Sequence, residues 1–143
     1  MKPQPPRRAA FALFRPIATR WQDNDVYGHV NNVVYYSFFD TLVNGWLIER
    51  GLLEVQRSEV IGLVVSSGCD YFAPAAYPDR LEGGLRVDRI GGSSVTYGLG
   101  IFQAGADSAA AAGRFTHVYV GMESRRPVPL SDAMRTALGE LLL

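Results

Sequence analysis

The stretch Thr19-Arg-Trp-Gln-Asp-Asn-Asp-Val-Tyr-Gly-His-Val-Asn-Asn32 sets two carboxylates, a glycine turn and a histidine directly before an apolar segment. That segment runs from about Asn32 to Arg50. Val34, Tyr35, Phe38, Phe39, Leu42, Trp46 and Leu47 recur within it at spacings of three and four, the period of a helix. Asn31 or Asn32 is placed to cap its start, and Gly51 stands where a C′ glycine belongs. Apolar residues occupy most of the circumference, so the helix is expected to be largely enclosed. An acidic loop feeding such a helix puts a potential base, Asp25, beside backbone N–H donors that no helical carbonyl reaches. A base next to an anion-stabilising dipole is the minimum equipment for hydrolysing an acyl bond. A plainer role is open to Asp25, that of a turn residue whose carboxylate satisfies nearby N–H groups. Spacing alone does not choose between the two, and Asp23 suits the capping role better.

Working outward, Phe11, Leu13, Ile17, Thr19 and Trp21 alternate as a first strand, with Pro16 implying an edge or a bulge. After a polar connector (residues 54–59), Val60 to Phe72 reads as a long strand, apolar enough to be covered on both faces. Leu81 to Ile90, Ser93 to Phe102 and Ala111 to Met122 read as three more strands, with Gly91-Gly92 as a turn. Pro127 and Pro129 end the last strand, and Ser131 is placed to cap a short helix over 132–142. One helix against an antiparallel sheet of about five strands is an α+β layout. Such a sheet covers one side of the helix only, so a two-fold dimer joining sheets edge to edge is expected, with a dimer of dimers left open.

With 143 residues, 14 basic and 14 acidic, the chain fits one domain over about 10–143, behind a disordered leader over 1–9. Balanced charge carries no nucleic-acid footprint. No uninterrupted apolar run reaches the length of a membrane span, and Arg15 and Pro16 cut the early run short of a signal peptide. A cytoplasmic protein is therefore expected. Cys69 is the sole cysteine, so no internal disulfide forms, and it reads as a small strand residue with no base beside it. Asp23-x-Asp25-x-x-Gly28 superficially suggests a calcium loop, but Tyr27 and Val34 stand where that loop needs oxygen ligands. His29 and His117 are isolated from each other, so neither a metal site nor a metal cofactor is expected. Each also reads as a structural residue, His29 in the loop and His117 on an apolar strand. No nucleotide-binding glycine loop or nucleophile elbow occurs.

The run Trp21-x-Asp-x-Asp-x-x-Gly-His-Val-Asn-Asn-x-x-Tyr35, with Asp40 following in the helix, closely resembles the hotdog-fold acyl-CoA thioesterases. The 4-hydroxybenzoyl-CoA thioesterase subfamily is the best match. The resemblance extends to chain length, element order and the Arg-Arg-Pro-x-Pro-Leu segment at 125–130. It implies a five-stranded antiparallel sheet wrapped around one central helix. It also implies hydrolysis of an acyl-CoA thioester without a cofactor, with Asp25 as general base or nucleophile and the Asn32 backbone amide as oxyanion donor. Many relatives carry an arginine four residues after the helix acid, where this chain has Asn44.

On that reading Gly28, His29, Tyr36, Val64 and Ser66 are the acyl-binding candidates, the group entering between the helix and the partner's long strand. Arg89, Ser93, Ser94, Arg125 and Arg126 are candidates for the CoA nucleotide, each arginine having the alternative of a solvated strand or loop end. An acyl-CoA hydratase or dehydratase using Asp25 and His29, and a non-catalytic acyl-thioester binder, are the competing readings. Acyl preference, CoA versus acyl carrier protein, and base versus nucleophile stay open.

Overall fold

The computed structural model describes residues 3–143, and Met1 and Lys2 lie outside it. The elements are β1 (Leu13–Ala18), α1 (Val34–Glu49), β2 (Val60–Tyr71), β3 (Arg80–Ile90), β4 (Ser94–Gln103), β5 (Ala111–Gly121) and α2 (Asp132–Gly139). All strand pairs are antiparallel, in the order β1-β3-β4-β5-β2. This is the α+β layout expected from the sequence, with β1 and its Pro16 at an edge. Because β1 and β2 occupy opposite edges, α1 must cross the sheet between them.

The helix lies close to the sheet because glycines make room for it. A side chain at Gly83 of β3 would strike Leu42, and one at Gly113 of β5 would strike the Phe39 ring and the Gly68 carbonyl. Phe39 is fully buried and meets Phe115 edge-on at 5.6 Å between ring centres. Leu42, Val43, Trp46 and Leu47 continue the same buried face into one core with Leu85, Leu99 and Ile101. Gly51, at φ +70°, closes the helix, with Leu52 N–H donating to the Leu47 carbonyl at 2.8 Å. Ser131 caps α2 by accepting from Met134 N–H at 3.1 Å.

Three expectations need correction. Strand β2 is not covered on both faces: it is a sheet edge, and Val60, Leu63, Val64, Val65 and Tyr71 are exposed in the single chain. Its apolar character reads as burial, but no element of the same chain supplies the cover. The expected strand from Phe11 to Trp21 is shorter, and Trp21 starts a 3₁₀ turn instead. Nor is the leader loose from Pro6 onward. The Pro6 carbonyl accepts from Ala109 N–H at 2.9 Å, and Arg8 pairs with Glu82 at 2.7 Å. Phe11 then packs over Gly84 and Gly100 on the face of the sheet away from α1.

A further departure concerns alternation along β2. The strand pairs Val64 with His117 but Ser66 with Thr116, leaving Val65 as a bulge. Opposed residues share a face, so Val60, Gly62 and Val64 face α1 before the bulge, and Ser67, Cys69 and Tyr71 after it. No helix among the described residues is long and apolar enough to cross a membrane.

Replacing Phe39 with alanine removes the ring that fills the space over Gly113. We expect the variant to lose about 3–5 kcal/mol of unfolding free energy in urea titrations.

Candidate active site

The loop before α1 is built on Asp23, whose side chain is fully buried. Its carboxylate accepts from Arg20 N–H at 2.7 Å and from the Arg20 guanidinium at 2.8 and 3.1 Å. Its carbonyl accepts from Asn31 N–H at 2.9 Å. Asp23 therefore holds the loop, as its capping role required. Val30 N–H donates to the Ala75 carbonyl at 2.7 Å, and Asn24 Oδ1 accepts from Tyr77 N–H at 2.9 Å. These contacts tie the loop to the segment leading into β3.

Asp25 begins a tight hairpin within this frame. Its N–H donates to the His29 carbonyl at 2.9 Å, and its carbonyl accepts from Gly28 N–H at 3.1 Å. Gly28, at φ +84°, takes the left-handed position that closes a three-residue hairpin loop. The half-buried Asp25 carboxylate accepts from Tyr27 N–H at 2.9 Å through Oδ1. No cation pairs with it among the described residues. Its second oxygen accepts no protein hydrogen bond among the described residues.

Entry into α1 is a tight turn at 31–34. Val34 N–H donates to the Asn31 carbonyl at 2.9 Å, and Asn31 Oδ1 accepts from Val33 N–H at 3.3 Å. Neither asparagine caps α1: the N-cap is Val33 with no side-chain cap, and Asn31 closes the turn that leads into it. The Asn32 N–H donates to no protein acceptor among the described residues, whereas its carbonyl accepts from the Tyr71 hydroxyl at 3.0 Å. Tyr71 fixes the peptide that follows Asn32. No short-range pattern could have shown this contact, because 39 positions separate the two residues. Although the residue is exposed overall, desolvation where its hydroxyl meets the loop, with Cys69 beside it, raises the Tyr71 phenol above its ordinary value, so it is a neutral donor at physiological pH. Burial likewise pushes the Cys69 thiol up to about 11, which leaves it un-ionised and a poor nucleophile.

The acyl-binding candidates divide. Gly28 and His29 lie on the exposed hairpin beside Asp25. Tyr36 is one turn into α1 and stacks on Phe115, with ring centres 6.2 Å apart. Val64 faces the seam between α1 and β2. Ser66 does not, since the bulge at Val65 turns it to the far face and gives its place to Ser67.

The CoA-binding candidates lie elsewhere in the chain. Arg89, Ser93, Ser94, Arg125 and Arg126 cluster at the ends of β3, β4 and β5 that flank Val60. The Asp25–Asn32 loop adjoins Tyr71, at the opposite end of the sheet. A single chain does not bring these two groups together. The Gly91 N–H is also spent on the Ser94 carbonyl at 2.7 Å, and Arg135 donates to the Gly91 and Gly92 carbonyls. Fewer donors remain there for a phosphate than the sequence suggested. Among the described residues no group of three His, Cys, Asp or Glu side chains is placed to hold a metal ion.

The profile of the thioesterase-like superfamily matches residues 19–138, from the acidic loop to the last helix. The chain belongs to this superfamily. The PA5185 protein of Pseudomonas aeruginosa strain PAO1 shares 59% identity, a TM-score of 0.94, and coverage of 98% of this chain and 97% of its own. A 1,4-dihydroxy-2-naphthoyl-CoA thioesterase from Synechocystis superposes with a TM-score of 0.80 at 22% identity, over 90% of this chain and 96% of its own. At that identity the likeness shows the fold, which is the hotdog arrangement. An uncharacterised Bacillus subtilis (strain 168) protein, YsmA, is 24% identical over 89 residues, 62% of this chain. That match spans 60% of YsmA's own length.

One buried titratable group in this superfamily member lies outside the loop. Burial lowers His117 from 6.5 to about 4, and neither ring nitrogen has a partner among the described residues. The folded chain holds the imidazole neutral, while the unfolded chain takes up a proton first. Stability is therefore lost as pH falls from 6.5 toward 4, by up to about 3 kcal/mol. Urea titrations across that window should show a shallower decline in His117→Phe than in the parent chain.

Proposed function

We propose that this protein hydrolyses acyl-CoA thioesters to the free acid and CoA. The observation that carries this reading is a single loop that holds both a carboxylate with a free oxygen and, two residues before α1, an N–H with no protein acceptor among the described residues. A thioester is already activated, because sulfur donates weakly into the carbonyl and a thiolate leaves readily. The protein then needs a base or nucleophile, an oxyanion donor and a pocket. Asp25 deprotonates water for attack on the carbonyl carbon, or attacks it directly to give an anhydride that water opens. The carbonyl oxygen faces the Asn32 N–H and the positive end of α1, a donor of a type worth about 3 kcal/mol of barrier. The CoA-ester substrate of the Synechocystis neighbour supports CoA as the carrier.

The placement of the arginines supports a two-fold dimer. The β2 edge carries unpaired backbone groups and exposed Val60, Leu63 and Val65. Antiparallel pairing of two β2 strands over their full length sets Val60 of one copy beside Tyr71 of the other. The turn carrying Arg125 and Arg126 in one copy then flanks Asp25 and Asn32 of the second. Each site is completed by both chains, which reconciles the candidate residues that one chain keeps apart.

Asp25→Asn should lower kcat by about a thousandfold or more without changing the circular dichroism spectrum or the dimer. Undiminished thiol release from CoA esters by that variant would refute the assignment. Mixing Asp25→Asn chains with chains carrying both Arg125→Ala and Arg126→Ala tests the shared site. Random reassortment should restore about a quarter of parental activity at low substrate, because one site in each mixed dimer is intact. No recovery on mixing would place the arginines outside the site.

A further inference from the structure

The turn that leads into α1 takes its shape from its own residues. The Asn31 carbonyl accepts from Val34 N–H at 2.9 Å, and Asn31 Oδ1 accepts from Val33 N–H at 3.3 Å. Bonds of this kind fix the form of a turn and not its place against the rest of the fold. Two longer bonds reach it from outside. Asn31 N–H donates to the Asp23 carbonyl at 2.9 Å, which joins the turn to the loop that carries Asp25. The Tyr71 hydroxyl donates to the Asn32 carbonyl at 3.0 Å, which joins the turn to the sheet.

Tyr71 is braced for that contact. The N–H groups of Phe72 and Ala73, directly after it, both donate to the Ala110 carbonyl, at 2.8 and 3.1 Å. Its ring meets the Tyr35 ring edge-on with centres 5.2 Å apart, and the buried Tyr35 meets Phe38 edge-on in turn. Tyr71 is itself 45% exposed, so water is available to its hydroxyl and burial does not force the bond to Asn32. The contact follows from where the strand end and the turn stand. In the two peptides that meet at Asn32, the carbonyls of Asn31 and Asn32 and the Val33 N–H are all engaged. The Asn32 N–H alone is left over among the described residues.

An oxyanion donor works only if it stands in place when charge develops on the carbonyl oxygen. A misplacement of about 1 Å can cost about a hundredfold in rate. We propose that Tyr71 is a positioning residue of the reaction. Its hydroxyl holds the Asn32 N–H in register with Asp25 and touches neither the substrate nor the proton being moved. The inference rests on the thioesterase reading and adds to it the side chain that sets the oxyanion donor. Asp23 steadies the turn from the loop, and Tyr71 steadies it from the sheet.

The test measures thiol release from acetyl-, octanoyl- and benzoyl-CoA by the full chain and two variants. Tyr71→Phe keeps the ring against Tyr35 and loses only the hydroxyl. Its kcat should fall by about tenfold or more, with KM within about twofold of the parent value and the circular dichroism spectrum unchanged. The pH dependence of kcat should stay as in the parent chain, and nitrogen-15 relaxation should show lower backbone order at Asn32 and Val33. Tyr35→Phe removes a neighbouring hydroxyl, leaves the ring contact and should keep the parental kcat. A parental kcat in Tyr71→Phe, an equal fall in Tyr35→Phe or a loss confined to KM would overturn the inference and leave the thioesterase reading standing. So would unchanged backbone order at the turn, or a displaced pH profile, which would make the phenol a proton donor. No thiol release from any of the three esters by the parent chain would overturn both.

Discussion

The contact of Phe39 with Gly113 and Phe115 governs the arrangement of this molecule. It sets how closely α1 approaches the sheet, and so which residues at the ends of the helix can reach the strands. With the ring seated there, the first turn of α1 lies beside Tyr71 and its third and fourth turns beside Gly62 and Tyr119. Both ends of the α1–β2 seam are therefore defined by one packing event at its middle. The glycines beneath the helix are part of the same device, since a side chain at position 83 or 113 would lift it.

The two aspartates of the entry loop divide their work. Asp23 spends its carboxylate on Arg20 and is removed from solvent, so it fixes geometry and is shielded from reaction. Asp25, two residues on, gives one oxygen to a local N–H and keeps the other free. Rigid support next to a reactive group that is itself incompletely satisfied is how a site stays ordered without quenching its chemistry. Tyr71 extends the support across the chain by gripping the carbonyl of Asn32, whose N–H has no protein acceptor among the described residues.

Much of this was legible in the sequence because it rests on local rules. The spacing of Tyr35, Phe38, Phe39 and Leu42 marked the helix, Gly51 its end and Ser131 the start of α2. The motif from Trp21 to Tyr35 marked the loop. Features that escaped are long-range or depend on register. The strand order that makes β2 an edge, the bond from Tyr71 to Asn32 and the docking of Arg8 on Glu82 leave no local trace. Arg125 and Arg126 were grouped with Asp25 for their charge, yet one chain holds them at opposite ends of the sheet. A linear motif does not state which end of the sheet each of its residues reaches.

The extra residue at Val65 has a consequence for how this strand tolerates change. Tyr71 points toward the helix only because the count of residues before it carries that one-step slip. Deleting Val65 itself would leave Val64 against His117 and Ser66 against Thr116 in plain alternation, so the phenol would still face the helix and keep the Asn32 carbonyl. The strand can thus absorb the loss of one residue at that point without moving its tyrosine. A residue added there has no such slack to use and would need a second extra position or a deletion nearby.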